Sequence, residues 1–535
     1  MTSMPQRCGH TAALLACLFT IAAVPRVGFG QATSSWVYYD ATGNLQYRSD
    51  DAGNRIMDYS WAGYQGGGVA LPIVRTRVTV TPSGGDDTAA IQSAINTVSA
   101  RQPDSKGFRG AVLLAPGSFN ISATLSISTS GVVLRGSGSG SDGSVLTMTG
   151  SPFTLLVVAG SGTYERGSPV SMTDAYVPSG ARSFNVSDAS GFSVGNHILI
   201  RRPVTAAWVA FMDMDELVRN GAPQTWIAPG NEILTDRSIT AIDGNRISID
   251  APLTDSFDAQ YLNPPGGTVA TYTFPGRITQ VGVEHLSIVA PGQEVTGTQY
   301  RAVSMSNVMN GWLHDLAIRD TQNSISLNNT TKRVTVDAVN VVHTSRQSSS
   351  AAPVDFALSG TELLANNCSV TGMGNTWPFV THSRVTGPIV ILNAFADDRG
   401  FGPHQRWATG MLCDRCDFPN TYGGDKAGIG YSNRGYLGSG HGWDAGWAVA
   451  WNVTAATFLV QAPPGVKNWC IGCVGAVLSL PAPGGDGTIL PNGIYESLGT
   501  PVTPGSLYLA QLKQRLGSSA IHNIGYADVN GTPLP

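Results

Sequence analysis

Beyond residue 277, short apolar runs recur with one internal pattern. Aligning VEHLSIV, LHDLAIR, VDAVNVV, ANNCSVT, ILNAFAD, CDRCDFP, AWNVTAA and CIGCVGA brings Leu286, Leu316, Val339, Cys368, Ala394, Cys416, Val453 and Cys473 into a single column. Its successive members lie 20 to 37 residues apart, the rhythm of a solenoid with one coil per repeat. A fixed apolar column with loops of variable length between its members predicts a parallel β-helix, in which each coil stacks its inward side chains on those of the coil before. Small inward residues such as Ala, Cys and Val suit a narrow interior.

Upstream, GGDDTAAIQSAINTVSA places Ile91, Ala94 and Ile95 at i, i+3, i+4, predicting a short amphipathic helix from about residue 88 with Asp86 or Asp87 at its cap. GAVLLAPGSFNIS, ATLSIS and GVVLRGSG follow as β-branched runs split by turns, with no second helix between them. ARSFNVSDASGFSVGNHILIRRP and RSITAIDGNRISIDAPL alternate as ordinary strands, predicting a β-rich insertion. Near the end, SLYLAQLKQRLG (506–517) carries Leu507, Leu509, Leu512 and Leu516 with Gly517 as a stop, and is expected to close the last coils. The expected organisation is a leader (1–30), a lead-in (31–75), first coils with a capping helix (76–160), the insertion (161–276), main coils bearing the candidate site (277–485) and a C-terminal capping segment (486–535).

Charge narrows the function classes. Only 13% of residues are charged, with 32 Lys+Arg against 36 Asp+Glu, far below the roughly 25% of an average chain. That excludes a nucleic-acid partner, and no apolar stretch after residue 30 is long enough to span a membrane. Arg7, the apolar run Ala12 to Val24, Pro25 and the site Gly28-Phe29-Gly30 have the order of a secretory signal peptide, so a secreted or periplasmic location is expected. Leu14-Leu15-Ala16-Cys17 resembles a lipobox only loosely, because Cys17 sits inside the apolar run. Without Arg7 and Arg26 the balance is 30 basic against 36 acidic residues, so an anionic substrate needs a local basic cluster. No heptad pattern supports trimerisation, and the oligomeric state stays open.

Two Cys-x-x-Cys motifs, Cys413/Cys416 and Cys470/Cys473, raise a structural-zinc reading. Their separation is far longer than in a zinc ribbon. In the solenoid register the motifs lie two rungs apart, about 9–10 Å, beyond the ~7 Å Cα limit of a disulfide. Buried thiols, together with Cys368, are the expectation.

Polar and aromatic residues are densest between Trp377 and Trp451, where His382, Asp397, Asp398, Arg399, His404, Arg406, Lys426, Tyr431, Arg434, His441 and Asp444 fall within a few coils. In an extended segment His404 and Arg406 point to one side, roughly 7 Å apart, as a base and a cationic clamp. Of Trp377, Trp407, Trp443, Trp447 and Trp451, two are expected to be exposed for stacking on sugar rings.

The GGDDTAAIQSAIN helix, the GAVLLAPGSFNISATLSI and GVVLRGSG strands and the coils from 277 to about 480 resemble the pectate-lyase-like superfamily, in the branch of rhamnogalacturonase-like and epimerase-like pectate lyase domains. The resemblance implies a right-handed parallel β-helix and a carbohydrate ligand. It does not fix the reaction. For β-elimination from a uronic acid polymer, the substrate carboxylate must be neutralised and the C5 proton taken by a base. Arg406, Arg399 or Arg434 could neutralise, and His404, His441, Lys426 or Tyr431 could act as base, with His404 and Arg406 ranked first and His441 second. Arg399, Arg434, Trp377, Trp443 and His382 would hold an anionic polysaccharide.

A hydrolase is the alternative, with Asp397 or Asp398 paired with Asp444 or Asp425. Against it, Trp377 stands where the inverting enzymes of this fold have an Asp after Asn-Thr. The distance from Asp398 to His441 is about two coils rather than one, and no Arg-Ile-Lys element follows. No cofactor is demanded by the sequence. Calcium stays open, with the same aspartates as oxygen donors. A non-catalytic polysaccharide-binding solenoid is the third reading.

Overall fold

The computed structural model describes residues 32–292, 298–345, 354–372, 376–420 and 427–534. The main body is a parallel β-helix. Leu286 pairs with Leu316 and Leu316 with Val339. The pairs Asn340–Ser369, Ser369–Phe395, Phe395–Asp417, Asp417–Thr454 and Thr454–Val474 carry the same register on, so the residues just before them continue the column to Cys473. All eight column side chains are buried in one core.

Each coil presents three faces. In one coil the first face spans residues 308–314, the second 316–319 and the third Asn323–Leu327. Between first and second faces the chain kinks at one residue: His285, Asp315, Ala338, Asn367, Asn393, Arg415 and Asn452 all have φ between 49° and 57°. Each directly precedes its column residue. A left-handed non-glycine residue costs roughly 1–2 kcal/mol, so repetition over seven coils means that the stacked core outweighs local preference.

The helix Thr88–Ser99 covers the first coils, its Ile91, Ala94, Ile95 and Val98 joining the core. The two aspartates divide the cap. Asp86 accepts from the Thr88 backbone N–H at 3.0 Å, while Asp87 accepts from Ser83 N–H at 2.8 Å and ties the helix start to the preceding loop.

The chain leaves the solenoid after Ala159 and rejoins it at Ile278. Between them His197–Pro203 pairs antiparallel with Glu232–Asp243 and Thr268–Thr273. This sheet docks through buried charge. Asp236 takes Lys332 Nζ at 2.8 Å, Arg277 at 3.1 Å and the Tyr272 hydroxyl at 2.8 Å, and Arg333 bridges Asp250 at 2.8 Å and Glu362 at 2.5 Å. Burial alone would raise the Asp236 pKa, but Lys332 and Arg277 hold it below the usual carboxylate range.

The lead-in and the helix Leu507–Leu516 cover the outer side of the first face, where Leu364, Val390, Leu412, Val449 and Ile471 pack with Tyr59, Leu507, Leu509 and Leu512. The helix therefore lies along the flank instead of closing the last coils as expected, because the outward first-face positions are themselves apolar. Ser506 caps it by accepting from Leu509 N–H, and Gly517 at φ 83° ends it. Its start is anchored on Asp414, which accepts from Ser506 Oγ at 2.7 Å and Tyr508 N–H at 2.8 Å. Burial nevertheless pushes the Asp414 carboxyl up to about 7.

All five described cysteines are buried thiols. Cys416 and Cys473 are separated by the rung of Val453.

Removing one partner of a buried ion pair strands the other, so Asp236→Ala should cost about 3–5 kcal/mol in urea unfolding; a loss below about 1 kcal/mol would show the network to be dispensable. Asp414 gives a pH signature. Its folded pKa lies above the unfolded 3.8, so the folded state keeps a proton that the unfolded chain loses, and stability falls as pH rises from about 4 to about 7. The melting temperature of Asp414→Asn relative to wild type should therefore climb between pH 5 and pH 8, and a pH-independent difference would contradict this.

Candidate active site

Third-face strands end at Leu358, Val380 and Tyr431 in successive parts of the solenoid, and the loops after them stack. His404 N–H donates to Thr381 O at 2.9 Å, Arg384 N–H to Arg406 O at 2.8 Å, and Arg406 N–H to His441 O at 3.0 Å. This main-chain ladder brings three imidazoles into a row. The His382 and His404 ring centroids are 6.1 Å apart, and those of His404 and His441 4.7 Å. Ser359 Oγ lies 2.7 Å from His382 Nδ1 and orients that ring.

Arginines surround the row. Arg434 donates to His404 O at 2.5 Å and lies over the Trp377 ring at 5.3 Å, with Arg399 over the same ring at 4.4 Å. Arg406 is held by Ser439 O and Oγ, both at 2.7 Å. Gly438 has φ 58°, and a Cβ there would sit 2.1 Å from His441 Nε2, so only glycine lets this loop fold against the imidazole. From the insertion, Arg219 donates to Gly438 O.

Electrostatics follow from this packing. Burial, then Arg434, His382 and Arg406, push the His404 pKa down to about 4. Burial, Arg434, His404, Arg406 and Arg219 push His441 down to about 3. Both rings are neutral at pH 7 and present unprotonated nitrogen beside cations. His441 is 8% exposed and its Nδ1 is buried without a hydrogen-bond partner among the described residues, an arrangement that structure alone does not reward. A cleft of about 200 Å³ between solenoid and insertion adjoins the row, lined by Ser359, Ser383, Arg384, Asn329 and Glu232 among others.

No family model matches the chain, and no curated protein matches it. Among solved structures it is similar to the tailspike protein gp49 from Pseudomonas phage LKA1, at 11% identity over 77% of this chain and 70% of that one, with a TM-score of 0.34. It is also similar to the A-module of the Azotobacter vinelandii mannuronan C-5 epimerase AlgE4, at 10% identity over 76% and 75%, TM-score 0.32. A tailspike variant of E. coli bacteriophage HK620 in complex with a pentasaccharide matches at 11% identity over 87% and 69%, TM-score 0.39.

Of the residues singled out from sequence, His382, His404, His441, Arg399, Arg406, Arg434 and Trp377 share this region. Tyr431 does not: it fills the solenoid interior and its hydroxyl donates to Val449 O at 3.2 Å, which removes it as a base. The segment from His404 to Arg406 is not extended, since Arg406 has φ 52° and its guanidinium turns to Ser439. Trp407, Trp443, Trp447 and Trp451 are at most 2% exposed, leaving Trp377 alone of the five for stacking. Trp443 donates to Met212 O of the insertion at 3.0 Å, so it binds the insertion rather than substrate.

The aspartates are spent locally. Asp398 accepts from Thr376 N–H at 3.2 Å, Asp444 from Ser432 N–H at 2.8 Å and Asp397 from Gly372 N–H at 3.0 Å. Among the described residues no group of three or more His, Cys, Asp or Glu is arranged to hold a metal ion. Asp425 and Lys426 lie outside the described residues.

Ser359, Arg384 and Arg219 were not singled out from sequence. A signal for Arg384 exists: His382-Ser383-Arg384 and His404-Gln405-Arg406 repeat His-x-Arg one coil apart. Arg219 has none, because it reaches the site from the insertion.

Replacing Arg434 by Gln removes the strongest charge acting on both depressed imidazoles. The His404 and His441 pKa values, followed by NMR titration, should both rise toward 6.5; unchanged values would mean that Arg434 does not set them.

Proposed function

We propose that this protein is a polysaccharide lyase that cleaves uronate-containing glycans by β-elimination. The observation that carries the reading is the row of neutral imidazoles set against Arg434 and Arg406; Arg399 is 2% exposed and supports Trp377 from beneath the surface rather than meeting substrate. Elimination needs that pairing of an unprotonated base with cations for the substrate carboxylate.

A uronate carboxylate entering beside Trp377 pairs with Arg434, which lies over the indole ring. Burial is the larger cause of the His404 depression, but pairing offsets the share due to Arg434, so the imidazole becomes more basic when substrate is bound. His404 then takes the C5 proton, electrons move to form the C4–C5 double bond, and the C4–O bond breaks. The departing oxygen needs one proton, and the imidazolium just formed holds one. A single ring can thus serve both steps without a cofactor. His441 packs against that ring, and Ser359 fixes His382 at the next position along the row. Asp398 and Asp444 are 5% and 1% exposed, which weighs against an aspartate pair flanking a glycosidic bond. With the leader expected over residues 1–30, the enzyme would act outside the cytoplasm.

The test is ultraviolet absorbance of the unsaturated uronate during incubation with a panel of acidic polysaccharides. His404→Ala should lower turnover by about 10²–10⁴-fold while retaining glycan binding. Reducing ends without absorbance would point to hydrolysis, and binding without either product to a non-catalytic solenoid. The acid limb of kcat/KM should fall at about pH 4, the free-enzyme value of His404, and that of kcat at higher pH, since bound carboxylate offsets the arginines. Coincident limbs would contradict the switch in basicity.

A further inference from the structure

A second basic pocket, sharing no residue with the histidine row, lies where lead-in, insertion and C-terminal helix meet. Its volume is about 280 Å³, and Arg55, Arg182 and Arg515 line it, one from each of those three segments. The guanidinium groups of Arg515 and Arg182 both lie over the Trp61 ring, at 4.0 and 5.6 Å. Arg55 lies over Tyr47 at 5.6 Å.

The three cations are not equally satisfied. Arg515 donates to Ser60 Oγ at 2.8 Å and to Ser60 O and Gly66 O, both at 2.7 Å. Arg55 reaches Gly180 O at 3.3 Å. Arg182 is exposed, and its guanidinium makes no hydrogen bond or ion pair among the described residues. One carboxylate, Asp58, lines the pocket, but it accepts from Ser60 N–H at 3.0 Å and forms no ion pair with any of the three. Burial disfavours the charged form of Arg515, Asp58 favours it and Arg182 disfavours it, so a single carboxylate of the pocket faces three guanidinium groups. A chain with only 13% charged residues has brought them together from three distant segments. One carboxylate against three guanidinium groups leaves the pocket with excess positive charge, which an anionic ligand would balance.

We propose that this pocket binds a small oxyanion, at most the size of one sugar ring, through Arg55, Arg182 and Arg515. Guanidinium groups present paired N–H donors that match carboxylate or sulfate geometry. The carboxylate could belong to a uronate residue or the oxyanion could be inorganic. The volume admits either, and is below the roughly 300 Å³ at which larger ligand pockets begin. Because the ligand would touch all three segments, its binding would hold them together.

The site is tested by thermal unfolding of the whole chain with galacturonate, sulfate or neutral galactose, with chloride as the ionic-strength control. A ligand that binds only the folded state raises the melting temperature saturably. Galacturonate or sulfate should do so and galactose should not. A tighter effect of galacturonate identifies a saccharide site, and an effect of sulfate alone an inorganic one. Arg182→Gln, at an exposed position without hydrogen bonds, should fold normally and weaken the apparent affinity about tenfold or more, whereas His404→Ala should leave it intact. No anion-specific shift in wild type, an equal shift with galactose, or full retention in Arg182→Gln would overturn the proposal.

Discussion

Backbone hydrogen bonds between coils fix the spacing on which all else depends. At about 4.8 Å per rung, parallel pairing places each residue directly above its counterpart in the coil before. Leu286, Leu316 and Val339 therefore share one interior line. The same pairing leaves the loops as the only places where length and chemistry are free to vary. The histidine row follows from it: Ser359, His382 and His404 lie 23 and 22 residues apart, one coil each, so a ladder built for stability also aligns these side chains.

The insertion adds a second constraint of a different kind. Its contact with the solenoid is not a purely apolar seam, since Lys332 and Glu362 are fully buried and meet Asp236, Asp250, Arg277 and Arg333. Such networks contribute little net stability, but they tolerate few alternative arrangements. That geometric demand suits a part which must present Arg219 to the Gly438 loop and form one wall of the cleft beside His382. Trp407 and Trp443 close the seam, packed against Trp208 and Trp226 of the insertion.

The solenoid was legible because its signal is periodic and apolar: an inward position tolerates few residue types, and the interval between coils shows in a single chain. The histidines and arginines of the site were legible as an excess of charge in a charge-poor protein. What the sequence concealed was cover. Trp447 and Trp451 are two of the five tryptophans among which exposed sugar platforms are expected, but the lead-in and the C-terminal helix fold over them, and nothing within a coil announces what arrives from outside the solenoid. Tyr431 illustrates the other limit. Strand parity sends it inward, and a one-residue ambiguity of register is enough to exchange a catalytic candidate for a core residue.

The left-handed corners have a consequence for how such a molecule changes over time. Because seven coils turn at the same backbone angle, each is a nearly equivalent module, and lineages could gain or shed a whole turn without redesigning its neighbours. The stretch from Ser359 to His441 is exempt: an extra turn there would push the three rings apart by one rung and uncouple the charges that tune them. Variation in length should thus accumulate at the ends of the solenoid and in its side loops, with the middle kept at constant stride.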